Sequence, residues 1–321
     1  KLLIAGGMKR NENWPSPALT IVDVYDKTNQ IWTTANLSKP RYNLCAIAHQ
    51  ENVFFAGGLE DDYTKASSRV DIYNATANTW STAELSEART GIIATAAGNK
   101  VVFTGGYYYD ANENLVFSRR VDIYDIVSNT WSTATLSIPR INHTASAVGN
   151  KIYIAGGERP DPNPAVEVFG LNPSVEMFSV NQSIDVYDVA TNSWSISSLQ
   201  NPRTGHSAVV VDEKIYFIGG WSEDMSFPAS KGIEILNIPT QTFTFQSVPE
   251  NFSPVYKPIY FQKLILVIVA GPMQNITFIL DVATGTWKEQ IFSSHEEVSA
   301  HAILDNTLYT TNGISVWKQT F

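Results

Sequence analysis

One twelve-residue phrase constrains this chain more than any other feature of it. Arg120 to Trp131 reads RVDIYDIVSNTW, and the phrase returns as RVDIYNATANTW from Arg69 and as SIDVYDVATNSW from Ser183. A second mark travels with it. Gly-Gly closes a β-rich run at Gly6-Gly7, Gly57-Gly58, Gly105-Gly106, Gly156-Gly157 and Gly219-Gly220, at spacings of 51, 48, 51 and 63. Two degenerate copies follow, VIVAGP ending at Gly271-Pro272 and LYTTNG ending at Asn312-Gly313, which makes seven. A recurrence near fifty residues means one supersecondary unit written many times.

Each unit reads as four short strands. Strand A is apolar with small residues (HSAVVVD from His206), strand B ends in the glycine pair (KIYFIGG), and strand C alternates (SIDVYD). Strand D opens at an aromatic: Trp32, Trp80, Trp131, Trp194, Phe243 or Trp287. Short turn signals such as Gly149-Asn150, ATN and VSN separate A from B and C from D. Such a sheet has apolar residues on both faces, so neighbouring sheets must stack and the stack must close.

In these marks the chain resembles the kelch-repeat β-propellers. The resemblance rests on the Gly-Gly pair, the V-D-x-Y-D strand, the Asn-x-Trp turn, and the Pro-Arg or Ala-Arg that opens a unit at Arg41, Arg89, Arg140 and Arg203. It implies an all-β fold of seven four-stranded blades, with six as the alternative, in one domain over 1–321. The blades fall near 1–37, 38–85, 86–136, 137–199, 200–248, 249–292 and 293–321. The first copy lacks a strand A and the last a strand D. The start at Lys1, straight into KLLIAGG, suggests a processed protein or an excised domain.

Variation gathers in the B–C segments, 8–19, 59–68, 107–118, 158–182 and 221–231, which share one face with the D–A segments. Binding residues concentrate on loops held by a rigid scaffold. The candidate ligand contacts there are Trp14, Tyr63, Tyr107, Tyr108, Tyr109, Phe169, Phe178 and Trp221, with the acidic Asp61, Asp62, Asp110, Glu223 and Asp224. Aromatic planes stack on sugars or apolar side chains, and carboxylates accept from hydroxyls or basic groups. Such aromatics also serve simply to fold the loops onto the blades. The resemblance adds Arg41, Arg89, Arg140 and Arg203, since kelch arginines of this kind contact acidic peptides; their presence in every well-formed unit also fits a structural role.

Several chemistries are disfavoured. A net charge of −9 and a pI near 5.1 offer no footprint for nucleic acid or an anionic membrane, and no apolar run is long enough to insert in a bilayer. His143, His206 and His301 take matching positions on different blades, too far apart to share a metal, so no metal or other cofactor is expected. DANEN at 110–114 imitates the start of a calcium loop, but Val121 stands where the twelfth-position Glu belongs, which leaves a turn. The copper site of galactose oxidase, a kelch-like enzyme, needs a Tyr cross-linked to Cys; the single Cys45 reads instead as a buried thiol in strand A.

The reading is a non-catalytic, protein- or glycan-binding scaffold module, outside the cell or on its surface. Sequons at Asn36, Asn74, Asn142, Asn181, Asn251 and Asn275 are the glycosylation candidates behind that location. Flanking segments of a larger parent chain or self-assembly are further partners. The alternatives are a cytoplasmic adaptor gripping acidic peptides through its arginines, and a carbohydrate-active enzyme such as a sugar oxidase or mutarotase.

Overall fold

The computed structural model describes residues 1–9, 17–60, 64–160, 178–222, 232–249, 259–261, 264–270, 275–292, 300–304, 307–311 and 316–320. All regular structure among them is β. Thirty strands are present. Four of these form two small hairpins, and the other twenty-six form seven antiparallel sheets, five of four strands and two of three. Sheet 1 comprises Leu2–Ala5, Ile21–Asp26 and Ile31–Asn36. Sheet 2 runs Cys45–His49, Asn52–Ala56, Arg69–Asn74 and Thr79–Glu84 as strands A to D, and sheets 3 and 4 repeat this meander over 93–135 and 144–198. Sheets 5, 6 and 7 span 207–247, 259–292 and 300–320, the last with three strands. The chain divides into two compact units, Lys1–Ser198 with sheets 1 to 4 and Leu199–Phe321 with sheets 5 to 7.

Within the first unit, most residues of the repeated phrase have a task. In RVDIYDIVSNTW, Val121 and Ile123 pack toward sheet 4 with Ile152, Ile154 and Tyr187. Tyr124, on the opposite face, packs toward sheet 2 with Phe54 and Ile72. Both faces of strand C are therefore buried, since consecutive side chains alternate across the pleat. Asp125 accepts from the amides of Val127 and Ser128 and so closes the C–D turn. Asn129 holds a left-handed φ of 55° and accepts the Tyr124 hydroxyl. Tyr73 with Asn78, and Tyr187 with Asn192, repeat that pairing at 2.8 Å. Trp131 faces Tyr124 across the ladder, with ring centroids 5.0 Å apart.

The strand D tryptophans fill the gaps between sheets. Trp80 packs in the cluster between sheets 1 and 2, Trp131 in that between 2 and 3, and Trp194 in that between 3 and 4. In the second unit Trp287 does the same between sheets 5 and 6. Each aromatic so placed removes a large apolar area from water in one step.

Consecutive sheets are joined by a linker that the incoming sheet grips. Leu37, Leu85 and Leu136 start the linkers and are buried. One residue on, the amides of Ser38, Ser86 and Ser137 donate to Asp71, Asp122 and Asp185 at 2.8, 2.8 and 2.9 Å. Three further on, the guanidinium of Arg41, Arg89 or Arg140 pairs with the same carboxylate. Leu199, Gln200, Arg203 and Glu234 reproduce the arrangement in sheet 5.

Two expectations change. The B–C segment 107–118 and the two ends of 158–182 form ribbons: Tyr107–Tyr109 pairs with Leu115–Phe117, and Glu158–Pro160 with Phe178–Val180. The period-2 pattern of YYY and LVF around a polar turn permits this. Cys45 is half-buried, because strand A alternates inward and outward along Cys45–His49.

Removing one partner of a buried ion pair leaves the other charge uncompensated. Asp122→Ala is expected to destabilise the chain by about 3–5 kcal/mol, and Asp125→Ala, which loses turn caps and a partly exposed pair with Lys100, by about 1–2 kcal/mol. Urea unfolding of the two variants checks the order.

Candidate functional site

Within each unit, the B–C and D–A segments of a sheet lie at the same end of it and are stitched together there. Thr90 and Tyr107 exchange backbone hydrogen bonds, each 2.9 Å, and so do Tyr42 with Leu59, Ile141 with Glu158 and Thr204 with Trp221. The second glycine of each pair makes this approach feasible. A Cβ on Gly106 would lie 2.4 Å from the Thr90 carbonyl, and its φ of 91° already disfavours any side chain. Asn43, Gly91, Asn142 and Gly205, two residues after the linker arginines, all hold left-handed φ, so this D–A position alternates between Asn and Gly.

On that platform stand the two hairpins of sheets 3 and 4. Phe117 and Phe178 stack across them, centroids 5.0 Å apart and 16° from parallel. Tyr107 and Tyr109 contact edge to face at 6.2 Å. Phe117 is buried, whereas Tyr109 and Phe178 remain 36% and 40% exposed; Tyr108, on the opposite side of its ribbon, is half-buried. The ledge is thus an apolar ridge that is partly self-packed and partly open. In sheet 5, Trp221 takes the ribbon position of Tyr107 and is 63% exposed.

Other expected contacts resolve differently. Trp14, Asp61, Asp62, Tyr63, Phe169, Glu223 and Asp224 lie outside the described residues. Asp110 serves its own turn, accepting from the amides of Asn112 and Asn114 at 2.8 and 2.9 Å. Those bonds hold its carboxyl below the usual range, the Asn114 amide most of all. This is the turn expected of DANEN.

The arginines are corrected from ligand contacts to clamps. Arg41, Arg89, Arg140 and Arg203 are at most 1% exposed. Arg41 donates to the carbonyls of Gly57 and Arg69 besides pairing with Asp71, and Arg89 does the same with Gly105, Arg120 and Asp122. Burial pulls Arg140 down to about 10, which still leaves it charged at neutral pH. Guanidinium groups committed in this way present no donors to a peptide.

Comparison with known proteins decides the family. The sequence profile of the Attractin/LZTR1 β-propellers matches residues 2–231. The chain belongs to that β-propeller family. Host cell factor 2 of Homo sapiens is 30% identical over 110 residues, a match covering 30% of this chain and 14% of that protein. The chain therefore corresponds to a small part of that relative. The solved structure of YjhT aligns with a TM-score of 0.61 over 88% of this chain and 98% of its own, at 12% identity, a likeness of fold alone.

The propeller repeat also accounts for three of the sequons. Asn74 holds the turn-capping position of Asp125 and accepts from Thr76 and Ala77. Asn142 holds the left-handed D–A position and donates to Glu158 at 3.1 Å. Asn181 is buried, takes the place of Ser67 and Ser118 before strand C, and donates through Nδ2 to Gly156 and Ser183. Asn36 is exposed at the end of strand D. Asn251 and the side chain of Asn275 lie outside the described residues.

Of the three matching histidines, two have described side chains. His143 is buried with Nε2 2.9 Å from the Thr104 hydroxyl and Nδ1 without a partner. His206 is buried beside Phe217, and the side chain of His301 is outside the described residues. Burial first, then Arg140 and Arg89, push His143 down to about 3 from 6.5.

Two outcomes follow from these side chains. His143 is folded neutral, so its contribution is complete above pH 6.5 and is lost as pH falls toward about 3. Between those limits it adds a slope of about 1.4 kcal/mol per pH unit, which His143→Gln should remove in urea titrations at pH 4 to 6.5. Peptide mass spectrometry of folded chain passed through a eukaryotic secretory pathway should find Asn181 bare, because its Nδ2 is committed inside the fold.

Proposed function

We propose that this propeller is a non-catalytic binding module, and that the hairpin ledge on its B–C and D–A face contacts a protein or a glycan. One observation carries the reading: Tyr109 and Phe178 stay open to solvent on ribbons that are themselves hydrogen-bonded to the scaffold. Aromatic anchors held rigidly lose little conformational freedom on binding, which is why such residues dominate interface energetics. Within the second unit, Trp221 takes the matching ribbon position of sheet 5 and is likewise exposed.

The competing readings draw less support. An adaptor gripping acidic peptides needs free guanidinium groups, and those of the linkers are inside ion pairs. A glycosidase needs a pair of uncommitted carboxylates. Among the described loop-face acids, Asp110 closes a turn, Glu60 pairs with Lys39 and Lys65, and Glu158 accepts from Asn142, while Glu113 is a single exposed carboxylate at its ribbon turn. An extracellular place is part of the proposal, with Asn36 as the accessible acceptor that supports it.

The test is a screen of the chain against glycan arrays and a library of purified ectodomains, followed by titration of variants. Tyr109→Ala and Phe178→Ala should each weaken a true ligand about ten-fold or more. Val127→Ser, on an 80% exposed turn of the opposite face, should leave affinity unchanged. Affinity indifferent to both aromatic changes would sink the proposal.

A further inference from the structure

One linker position varies together with the side chain that a sheet shows on its loop face. It is the left-handed residue two after the linker arginine: Asn43, Gly91 and Asn142 in the first unit, and Gly205 in the second. The residue just before it exchanges a pair of backbone hydrogen bonds with the first ribbon residue, which is Leu59, Tyr107, Glu158 or Trp221. The backbone is therefore the same in all four sheets, and the side chains differ in step. Where the linker carries Asn, the ribbon residue is not aromatic: Leu59 is buried, and Glu158 accepts from Asn142 at 3.1 Å. Where the linker carries Gly, the ribbon residue is Tyr107 or Trp221.

Conformation does not explain the glycines, because Asn43 and Asn142 hold φ of 53° and 52° where Gly91 holds 64°. Space does. A Cβ on Gly91 would lie 3.1 and 3.2 Å from Cε1 and Cδ1 of the Tyr107 ring, inside the usual carbon–carbon separation. In the second unit the Cβ position of Gly205 is 3.8 Å from Cδ1 of Trp221. Each ring thus rests on its glycine. From Tyr107 the aromatic contacts run on through the ledge. Tyr107 meets Tyr109 edge to face, 6.2 Å apart, and stands opposite Phe117 in the ribbon. Phe117 in turn stacks on Phe178 at 5.0 Å. Alternation puts Tyr107, Tyr109 and Phe117 on one side of the ribbon, so the two open rings, Tyr109 and Phe178, are both placed with reference to Tyr107.

We propose that Gly91 is the positioning residue of the aromatic ledge: it seats the Tyr107 ring, and through that ring it sets where Tyr109 and Phe178 present themselves. A side chain at 91 lifts Tyr107, and the rings packed against it follow. The pairs Gly91 with Tyr107 and Asn142 with Glu158 are then two settings of one device, in which the linker residue decides whether a ribbon opens with an aromatic plate or with a held polar group. The part of Gly91 in recognition rests on the binding reading of the ledge, since only a binding surface needs its rings held to a defined geometry.

A double-mutant cycle tests the assignment without any ligand. Gly91→Asn and Tyr107→Glu are made singly and together, the pair reproducing Asn142 with Glu158. Gly91→Asn should lower the urea midpoint of the parent, where the ring occupies its space. It should raise that of the Tyr107→Glu chain, where Asn can hold the new carboxylate and restricts the unfolded chain more than Gly does. With 3-fluorotyrosine in place of tyrosine and the Tyr109 signal assigned by Tyr109→Phe, Gly91→Asn should shift the fluorine resonance of Tyr109 in the parent and leave it in place in the Tyr107→Glu chain. The converse exchange in sheet 4 keeps the test open should a variant of sheet 3 not fold: Asn142→Gly should lower the midpoint of the parent and raise that of the Glu158→Tyr chain. Equal effects of the linker substitution in both backgrounds, or a Tyr109 resonance that Gly91→Asn does not move, would overturn the proposal. Because no readout involves a ligand, a ledge that binds nothing would end the binding reading and leave the seating of Tyr107 standing.

Discussion

The interaction on which the rest depends is the buried pair between a linker arginine and a strand C carboxylate. A meander by itself fixes only the order of its own strands. Within the first unit, what sets one sheet against the next is the grip of Asp71, Asp122 or Asp185 on the segment that precedes its own sheet. Each guanidinium leaves water completely, which would be costly without the carboxylate and the carbonyls that receive it. The pair is thus a specificity device: a linker in the wrong place would strand two charges in an apolar interior.

Packing then follows with little freedom. Because side chains alternate in strand C, Val121 and Ile123 meet one neighbour while Asp122 and Tyr124 face the other. The strand D tryptophan covers the gap between sheets. Close approach of the D–A segment to the strand B end requires a residue without Cβ, and Gly58, Gly106, Gly157 and Gly220 supply it with Cβ positions 2.4–2.6 Å from a facing carbonyl. A scaffold tied at this many points lets the ribbons beyond the glycines vary without altering the sheets below.

The candidate site was legible in part. Repetition separated the varying B–C segments from the framework, and it singled out Tyr107, Tyr109, Phe178 and Trp221 as aromatics the repeat does not need. It could not say that YYY and LVF zip into a ribbon, nor that Phe117 and Phe178 spend their faces on one another, since those contacts join residues 61 apart in sequence. Asn74, Asn142 and Asn181 show the converse. As sequons they suggested modification, yet each occupies a position where sister units carry Asp, Gly or Ser for the same hydrogen bond or dihedral.

The sequence by itself determined the local unit: its strands, its turns and the periodic return of the same four roles, because turn chemistry and alternation act over a few residues. It also placed arginines at the head of four consecutive units, at Arg41, Arg89, Arg140 and Arg203. Only the tertiary structure decided what those arginines do. Arg89 and Asp122 are 33 residues apart, and whether a guanidinium faces solvent or a carboxylate depends on which sheet packs over it.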